Sequence, residues 1–426
     1  MDTHAAPSSV PDALAEPTVP VGARWIAGIV LVNLGINAVL YAPLNVLLGL
    51  QATAINPEEK EGMLSLVSAF GAAVALVANP LTGALSDRTT SRFGRRSPWV
   101  LGGAVVAALA LLFLASASTL TGTAALLSLV VGWCFVQLGV NSTYSTIAAT
   151  VPDRTPVNQR ASVGGLGAMG QTVGILCGAV IGFVIDGNIG LGYGLCAAVM
   201  VLSVIPYLTH RDDPVLPLEA RERFRLGAFL RGFWIGPRQH PDFGWAWITR
   251  FLMFLGNQMT IVYLLFFLTD VIRHPNPAGG VLVLTGLYSL MVLLSAVAAG
   301  RLSDAAGGRR RIFVAGSSGL IGLATLILAF FPVWPAAMLG AAVLGVGFGA
   351  YLAVDFALLT QVLPSASDRG KDLGVVNIAA TLPQVFAPAA AWLAVTALGG
   401  YTTMFLIAAT LCALGAVLVY RIKSVP

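Results

Sequence analysis

The stretch G-A-L-S-D-R-T-T-S-R-F-G-R-R at residues 83–96 occurs again, in a shortened form, as G-R-L-S-D-A-A-G-G-R-R-R at residues 300–311. Each copy joins two long apolar segments and combines a glycine and an aspartate with a cluster of arginines. Arginines at the ends of apolar helices mark the cytoplasmic face of a membrane protein. The two copies therefore predict tight turns at a membrane surface and an internal duplication of the chain.

The composition of the 426 residues is that of an integral membrane protein. Hydrophobic residues make up 57% of the chain and charged residues only 10%, and the mean hydropathy is +0.84. A helix that spans a bilayer needs about 20 predominantly apolar residues. Twelve such helices are predicted, centred near Asn37, Val74, Ala108, Gln137, Gly174, Val199, Gln258, Met291, Ile321, Gly349, Pro383 and Leu411.

The basic residues predict the orientation of these helices, because Lys and Arg accumulate in cytoplasmic loops. With both termini in the cytoplasm, the outer loops hold only Lys60 and Arg273 of the 24 basic residues, and Arg250 falls inside helix 7. This topology accounts for the net charge of +5, so the charge does not indicate nucleic-acid binding. We expect a multi-pass protein of the cytoplasmic membrane.

The predicted domain organisation follows from the widest gap between apolar segments, which separates six helices from six. In this gap arginines alternate with aromatic residues, a mixture typical of a helix that lies at the lipid headgroups. The predicted parts are a disordered cytoplasmic tail at 1–24, a six-helix bundle at 25–208, a cytoplasmic linker with an interfacial helix at 209–243, a second six-helix bundle at 244–421 and a short tail at 422–426.

The repeated motif resembles the loop between helices 2 and 3, and its repeat between helices 8 and 9, of the major facilitator superfamily of secondary transporters. The resemblance covers nearly the whole chain. It implies an all-α fold with twelve transmembrane helices in two pseudo-symmetric six-helix bundles, a monomer, and a small-molecule substrate carried by alternating access.

The resemblance also implies that the two loops act as a conformational latch that favours the outward-facing state. The alternative is that they serve as topology determinants only. The latch residues are Gly83, Asp87, Arg88, Gly94, Arg95, Arg96, Gly300, Asp304, Arg309 and Arg310.

Polar side chains recur at helical spacing in several apolar helices, where a polar group that faces lipid is costly. Helices 1, 4, 7 and 10 carry most of them, and these four helices line the central cavity in the superfamily that the chain resembles. The predicted cavity residues are Asn33, Asn37, Tyr41, Gln137, Asn141, Tyr144, Gln171, Asn257, Gln258, Tyr351 and Gln384. For any single amide, the alternative is a hydrogen bond between helices.

Arg250 and Asp355 are charged residues that fall well inside predicted helices 7 and 10, at matching depths. A nearby arginine keeps a buried carboxylate ionised, whereas an isolated one takes up a proton. Asp355 is therefore the leading candidate for proton coupling, with Arg250 as its exchangeable partner. Two alternatives remain open: a permanent salt bridge between the two helices, and direct binding of substrate by Arg250.

The expected energy source is a proton gradient, with no cofactor and no metal. An ATP-driven pump needs a G-x-x-x-x-G-K-[ST] phosphate-binding loop, and none of the lysines, Lys60, Lys371 and Lys423, lies in one. The four histidines fall in the tail or in loops, and the four cysteines show no paired spacing. The chain is therefore not expected to be an enzyme.

The loop at residues 86–98 also resembles that of the sucrose and glycoside-pentoside-hexuronide cation symporters, which implies uptake of a neutral, hydroxyl-rich solute. Aromatic surface for such a solute is expected from Trp133, Tyr144, Tyr263, Tyr351 and Trp392. The alternatives are proton-coupled efflux of a drug or natural product, and a membrane sensor that does not transport. Helix 5 lacks the Gly-Pro pair of efflux antiporters, so uptake is favoured.

Overall fold

The computed structural model describes residues 17–117, 119–210, 213, 215–221, 227, 240–305, 310–362 and 369–423. The predicted interfacial helix of the linker falls mostly outside the described residues, as do most of the predicted tail at 1–24 and the last three residues of the tail at 422–426. Within the described ranges, every regular element is a helix.

The N-terminal half contains six long helices that correspond to predicted helices 1 to 6. In α1, Pro43 has no amide hydrogen to donate, and it begins a π-helical turn at Pro43–Leu47. The bounds are α1 Ala23–Ile55, α2 Lys60–Ser86, α3 Ser97–Ala117, α4 Gly122–Arg154, α5 Val157–Val184 and α6 Ile189–Leu208.

The C-terminal half repeats this arrangement, with one broken helix. Eleven helices of the described chain are long and apolar enough to cross a membrane, and the two bent segments of α7 make a twelfth if they form one span. The predicted all-α, twelve-helix architecture is therefore confirmed. The bounds are α7a Pro241–Val262, α7b Leu264–Asp270 at an angle of 43° to it, α8 Pro277–Ala305, α9 Arg310–Phe330, α10 Trp334–Val362, α11 Arg369–Ala397 and α12 Tyr401–Leu418.

Glycines allow several helices to pack backbone against backbone, the usual means of helix association in lipid. On α5, Gly170 and Gly174 lie against the carbonyl oxygens of Val30 and Leu34 on α1. A Cβ atom on Gly103 of α3 would lie 2.6 Å from the carbonyl oxygen of Gly139 on α4. This close approach leaves no room for a methyl group.

The two halves meet at the end of the bundle that carries Lys60, which we call the Lys60 end. Lys60 Nζ lies 2.6 Å from Asp270 Oδ1, and the Tyr263 hydroxyl donates to the Glu61 carbonyl oxygen over 2.7 Å. The Tyr401 hydroxyl donates to the second oxygen of Asp270 over 3.1 Å and lies 3.5 Å from Glu61 Oε1. These contacts join α2 of one half to α7 and α12 of the other, so they close the bundle at this end.

We expect Gly103→Ala to destabilise the protein and its neighbour Gly102→Ala to leave it unchanged or slightly more stable. The new methyl group at position 103 overlaps Thr143 and Gly139, whereas position 102 has nothing within 4 Å. Overpacking typically costs about 1 to 3 kcal/mol. The melting temperatures of the purified variants check this, and equal values for the two would contradict the close α3–α4 packing.

We expect Lys60→Met to open the Lys60 end more often, because it removes the ion pair with Asp270 that joins the halves. The measurement is the rate at which a membrane-impermeant maleimide, added from that side, labels a cysteine placed at Tyr41 in a chain whose native cysteines are replaced. Two variants serve as controls. Lys60→Arg keeps the charge of the pair, and Glu58→Gln removes a charge two residues earlier that is not part of the pair. Labelling that is no faster in Lys60→Met than in these controls would show that the ion pair does not hold the closure.

Candidate functional site

The centre of the C-terminal half is an ion pair between α7 and α10. Arg250 Nη1 donates to Asp355 Oδ2, and the Tyr351 hydroxyl donates to Asp355 Oδ1 over 2.8 Å. Asp355 is only 3% exposed. The Arg250 guanidinium also lies over the Phe254 ring, 5.0 Å from its centroid. The structure thus brings together the two charged residues whose pairing the sequence left open.

Two polar atoms beside this ion pair have no hydrogen-bond partner among the described residues. They are the Nε of Arg250 and the Oδ1 of Asn257, both on α7. The Asn257 side chain lies within interaction range of the Tyr288 hydroxyl on α8. An unpaired buried donor or acceptor is costly, so these two atoms lower the stability of the arrangement shown here.

The remaining surface of α7 divides into two faces. Gly256 leaves room for the sulfur of Cys412 on α12, and Gly415 of α12 lies against Thr249 and Met253. Successive residues of a helix are rotated by about 100°. The face opposite to these contacts therefore carries four half-buried side chains, Trp247, Phe251, Phe254 and Gln258. This face points away from α12 and contacts α10 and α11.

Aromatic rings from neighbouring helices continue this face, and together we call them the aromatic wall. Phe251 stacks on Trp247, with centroids 5.6 Å apart, and meets Phe386 of α11 edge-on at 6.4 Å. Phe254 meets Phe348 of α10 at 5.7 Å, which in turn lies 6.1 Å from Tyr288. The aromatic wall therefore comprises Trp247, Phe251, Phe254, Tyr288, Phe348 and Phe386.

The N-terminal half presents a set of amides, which we call the amide wall. Asn33 and Asn37 of α1 each donate to the backbone carbonyl four residues earlier. Gln171 of α5 donates to Asn33 Oδ1 over 3.2 Å. On α4, Asn141 donates to the backbone and side-chain oxygens of Gln137, each over 2.9 Å. The amide wall thus comprises Asn33, Asn37, Gln137, Asn141 and Gln171.

Tyrosines bridge the space between the two walls. Tyr41 of α1 lies within interaction range of Tyr144 on α4 and of Tyr288 on α8, and Tyr144 interacts with Gln171. Seven of the predicted cavity residues are therefore joined by interactions that run from α1 to α10, whereas Gln137 and Asn141 interact with each other on α4. Gln258 lies half-buried on the inner face of α7, whereas Gln384 is exposed on α11.

Three aromatic residues expected to line the cavity lie elsewhere. Trp133 is fully buried against Gly71, Tyr263 faces Glu61 at the Lys60 end, and Trp392 packs beside Gly62. The sequence analysis also missed the phenylalanines of the aromatic wall, since an apolar ring in an apolar helix gives no signal of its own. The spacing of Trp247, Phe251 and Phe254 by four and three residues, which places the three rings on one face of the helix, was the sequence signal for this wall.

The first latch loop forms an ionic network that lies within the N-terminal half. Arg96 Nη2 lies 2.5 Å from Asp87 Oδ1 and 2.7 Å from Asp153 Oδ2, and Arg95 reaches the same Asp153 oxygen over 2.8 Å. Burial disfavours the charged form of Arg96, but Asp153 and Asp87 outweigh it and raise its pKa. Asp153, at the end of α4, was not singled out from the sequence.

Asp213, in the segment after α6, caps the start of α3. Its Oδ2 accepts from the backbone nitrogens of Arg96 and Ser97 over 2.8 and 2.7 Å and from the Ser97 hydroxyl over 3.0 Å. Gly94 has a φ of +88°, and a Cβ atom there would lie 2.3 Å from the Asp213 carboxyl. Glycine is therefore required at this position of the loop.

The other latch residues take part less directly or are not described. Gly83 lies on α2, and Arg88 donates to the Ala84 carbonyl oxygen one turn earlier, over 2.6 Å. In the second loop, Arg309 lies outside the described residues. Gly300 and Asp304 belong to α8, and Arg310 begins α9. The surroundings of Gly300 and Asp304 lie outside what the structure describes. The latch role of both loops therefore stays a prediction.

Comparison with known proteins identifies the family. The sequence matches the model of the Major Facilitator Superfamily over residues 25–326 and 277–426. No curated protein matches the sequence. Among solved structures, a POT family transporter in complex with a thioalcohol-conjugated peptide has a TM-score of 0.72 and 15% identity, covering 93% of this chain and 96% of the other.

Two further solved structures share the fold. The peptide transporter POT in complex with sulfate has a TM-score of 0.73 at 15% identity, covering 97% of this chain and 98% of the other. The nucleoside transporter NupG has a TM-score of 0.72 at 13% identity, with 93% and 99% covered. At these identities the likeness concerns the fold alone. With the family match over nearly the whole sequence, it follows that the chain belongs to the major facilitator superfamily and is a multi-pass membrane transporter.

Proposed function

We propose that this transporter takes up a sugar or glycoside together with protons, as a monomer in the cytoplasmic membrane with both termini inside and with no cofactor. The observation that carries the coupling is the buried carboxylate of Asp355, held by Arg250 of α7 and Tyr351 of its own helix. A charged group inside a membrane bundle is rare and is usually functional.

Protonation of Asp355 changes how α7 is held against α10. The attraction between unlike charges is strong where water is excluded, and a proton on the carboxylate removes it. The groups that face Asp355 are Arg250 from α7, Tyr351 from α10 and, beyond Tyr351, the Cys412 thiol of α12. When Asp355 takes up a proton it therefore loses its ion pair with Arg250, and the guanidinium becomes free to donate to a substrate.

The sugar-like cargo is supported by the chemistry of the amide wall and by the resemblance of the loop at residues 86–98. Asn37 and Asn141 donate within their own helices, and their amide oxygens can accept from substrate hydroxyl groups. Amide oxygens suit a neutral solute that carries many O–H donors.

The latch is proposed to act through the network of Arg96. This network fastens the ends of α2 and α4, which hold Asp87 and Asp153, to the start of α3. A rigid end of the N-terminal half allows that half to move as one body. Alternating access requires such movement between the halves.

We expect Asp355→Asn to abolish the accumulation of substrate that a proton gradient drives, while exchange of labelled for unlabelled substrate across the membrane continues. The amide cannot carry a proton, but it keeps the size of the carboxyl group. Uptake and counterflow in proteoliposomes measure the two activities. Asp186→Asn is the matched control, since Asp186 is exposed and has a φ of +47° that asparagine tolerates.

Two results would overturn this assignment. Loss of exchange together with accumulation would make Asp355 a structural residue. Expulsion of substrate in response to the inward proton gradient would show an efflux transporter instead of an uptake system.

We expect Arg250→Ala and Asp355→Ala each to lower the thermal stability of the protein, and the double variant to be more stable than the sum of the two effects implies. Removing one partner of a buried ion pair leaves an unpaired charge and costs about 3 to 5 kcal/mol, whereas removing both does not. Thermal melts of the four proteins in one detergent complete the cycle. Additive losses would show that the contact contributes no coupling energy.

A further inference from the structure

The two walls of the proposed substrate site differ in chemistry. The aromatic wall belongs to the C-terminal half and draws its rings from α7, α8, α10 and α11. The amide wall belongs to the N-terminal half and draws its amides from α1, α4 and α5. Gly286 of α8 lies against Leu176 of α5, so helices of the two halves are in contact there. A ligand between the halves therefore touches rings on one side and amides on the other.

The aromatic wall is larger than one sugar ring needs. A pyranose that stacks on an aromatic side chain uses one ring and needs hydrogen-bonding groups around its edge. Here one run of rings consists of Trp247, Phe251 and Phe386. A second run, about one helical turn further along α7, consists of Phe254, Phe348 and Tyr288. Because aromatic pairs gain from stacked and edge-on contacts, this surface suits a planar apolar group.

The wall carries no unbalanced charge in the described chain. Arg250 and Asp355 are the charged side chains beside these rings, and they neutralise each other. In this paired state, a ligand with a charge of its own would leave that charge unpaired in a water-poor site, which is costly. The partner that fits is therefore neutral.

The amide wall adds the second requirement. Asn37 uses one of its two amide hydrogens, and Asn141 its amide nitrogen, within their own helices, which leaves one donor on Asn37 and the amide oxygens as acceptors. Acceptors on this side select a ligand whose polar part carries hydroxyl donors. The polar part and the planar part of the ligand must also lie at opposite ends, because the walls belong to different halves.

We infer that the substrate is a neutral glycoside with an aromatic aglycone, whose sugar faces the amide wall and whose ring lies on the aromatic wall. This inference rests on the proposed uptake of a glycoside and narrows it from sugars in general to aryl glycosides. The aglycone contributes the larger share of the affinity, since free sugars offer nothing for the second run of rings.

The test is equilibrium binding to the full-length protein in nanodiscs, with no gradient imposed. The probes are the methyl, cyclohexyl and phenyl β-glycosides of glucose, galactose and xylose, titrated by calorimetry. For the best sugar, we expect the phenyl glycoside to bind at least about tenfold more tightly than the methyl glycoside, and more tightly than the cyclohexyl one. Equal affinities, or no binding by any phenyl glycoside, would overturn the inference.

The variant Phe251→Leu supplies the second readout. It removes a ring that contacts both Trp247 and Phe386. We expect it to lose most of the preference for phenyl over methyl. Phe135→Leu, at an exposed ring of α4, is the matched control and should keep the preference. A preference that survives Phe251→Leu would contradict the assignment of the aromatic wall.

The binding test of this inference and the accumulation test of the proposed function can fail independently of each other. Phenyl-selective binding without proton-driven accumulation would contradict the coupling and support the inference. Proton-driven accumulation of free sugars, with no phenyl preference in binding, would support the coupling and overturn the inference.

Discussion

Water is scarce inside a membrane bundle, so a charge there must be matched by protein groups, and this constraint organises the C-terminal half. Asp355 is matched by one guanidinium and one hydroxyl, and the guanidinium also covers the Phe254 ring. The ion pair fixes the register of α7 against α10, and in that register Phe254 meets Phe348 and Tyr351. The polar centre and the ring surface around it are parts of one arrangement.

The two ends of the bundle are held by different kinds of contact. At one end, Arg95 and Arg96 bind carboxylates of their own half. At the other end, Lys60 and Tyr263 reach across to the opposite half. Contacts of the first kind can persist while the halves move, whereas those of the second kind must break and form again. This division suits a protein whose halves move as rigid bodies.

The sequence was sufficient for the fold, because twelve apolar segments and the duplicated loops leave little choice of topology. It also singled out polar residues that bind one another inside each half, such as Asn33 with Gln171 and Arg250 with Asp355, since each stands out in an apolar helix. It could not reveal the aromatic wall, whose rings look like ordinary lipid-facing residues until helix packing turns them inward. The partner of Arg95 was equally hidden, because Asp153 is distant in sequence and becomes adjacent only through the α2–α4 contact.

The cap that Asp213 places on α3 concerns the connection between the halves. Leu216, three residues further on, is almost fully buried, so the beginning of the linker is fastened to the N-terminal half and travels with it. An insertion between Asp213 and Leu216 would therefore lengthen the part of the linker that moves with the N-terminal half.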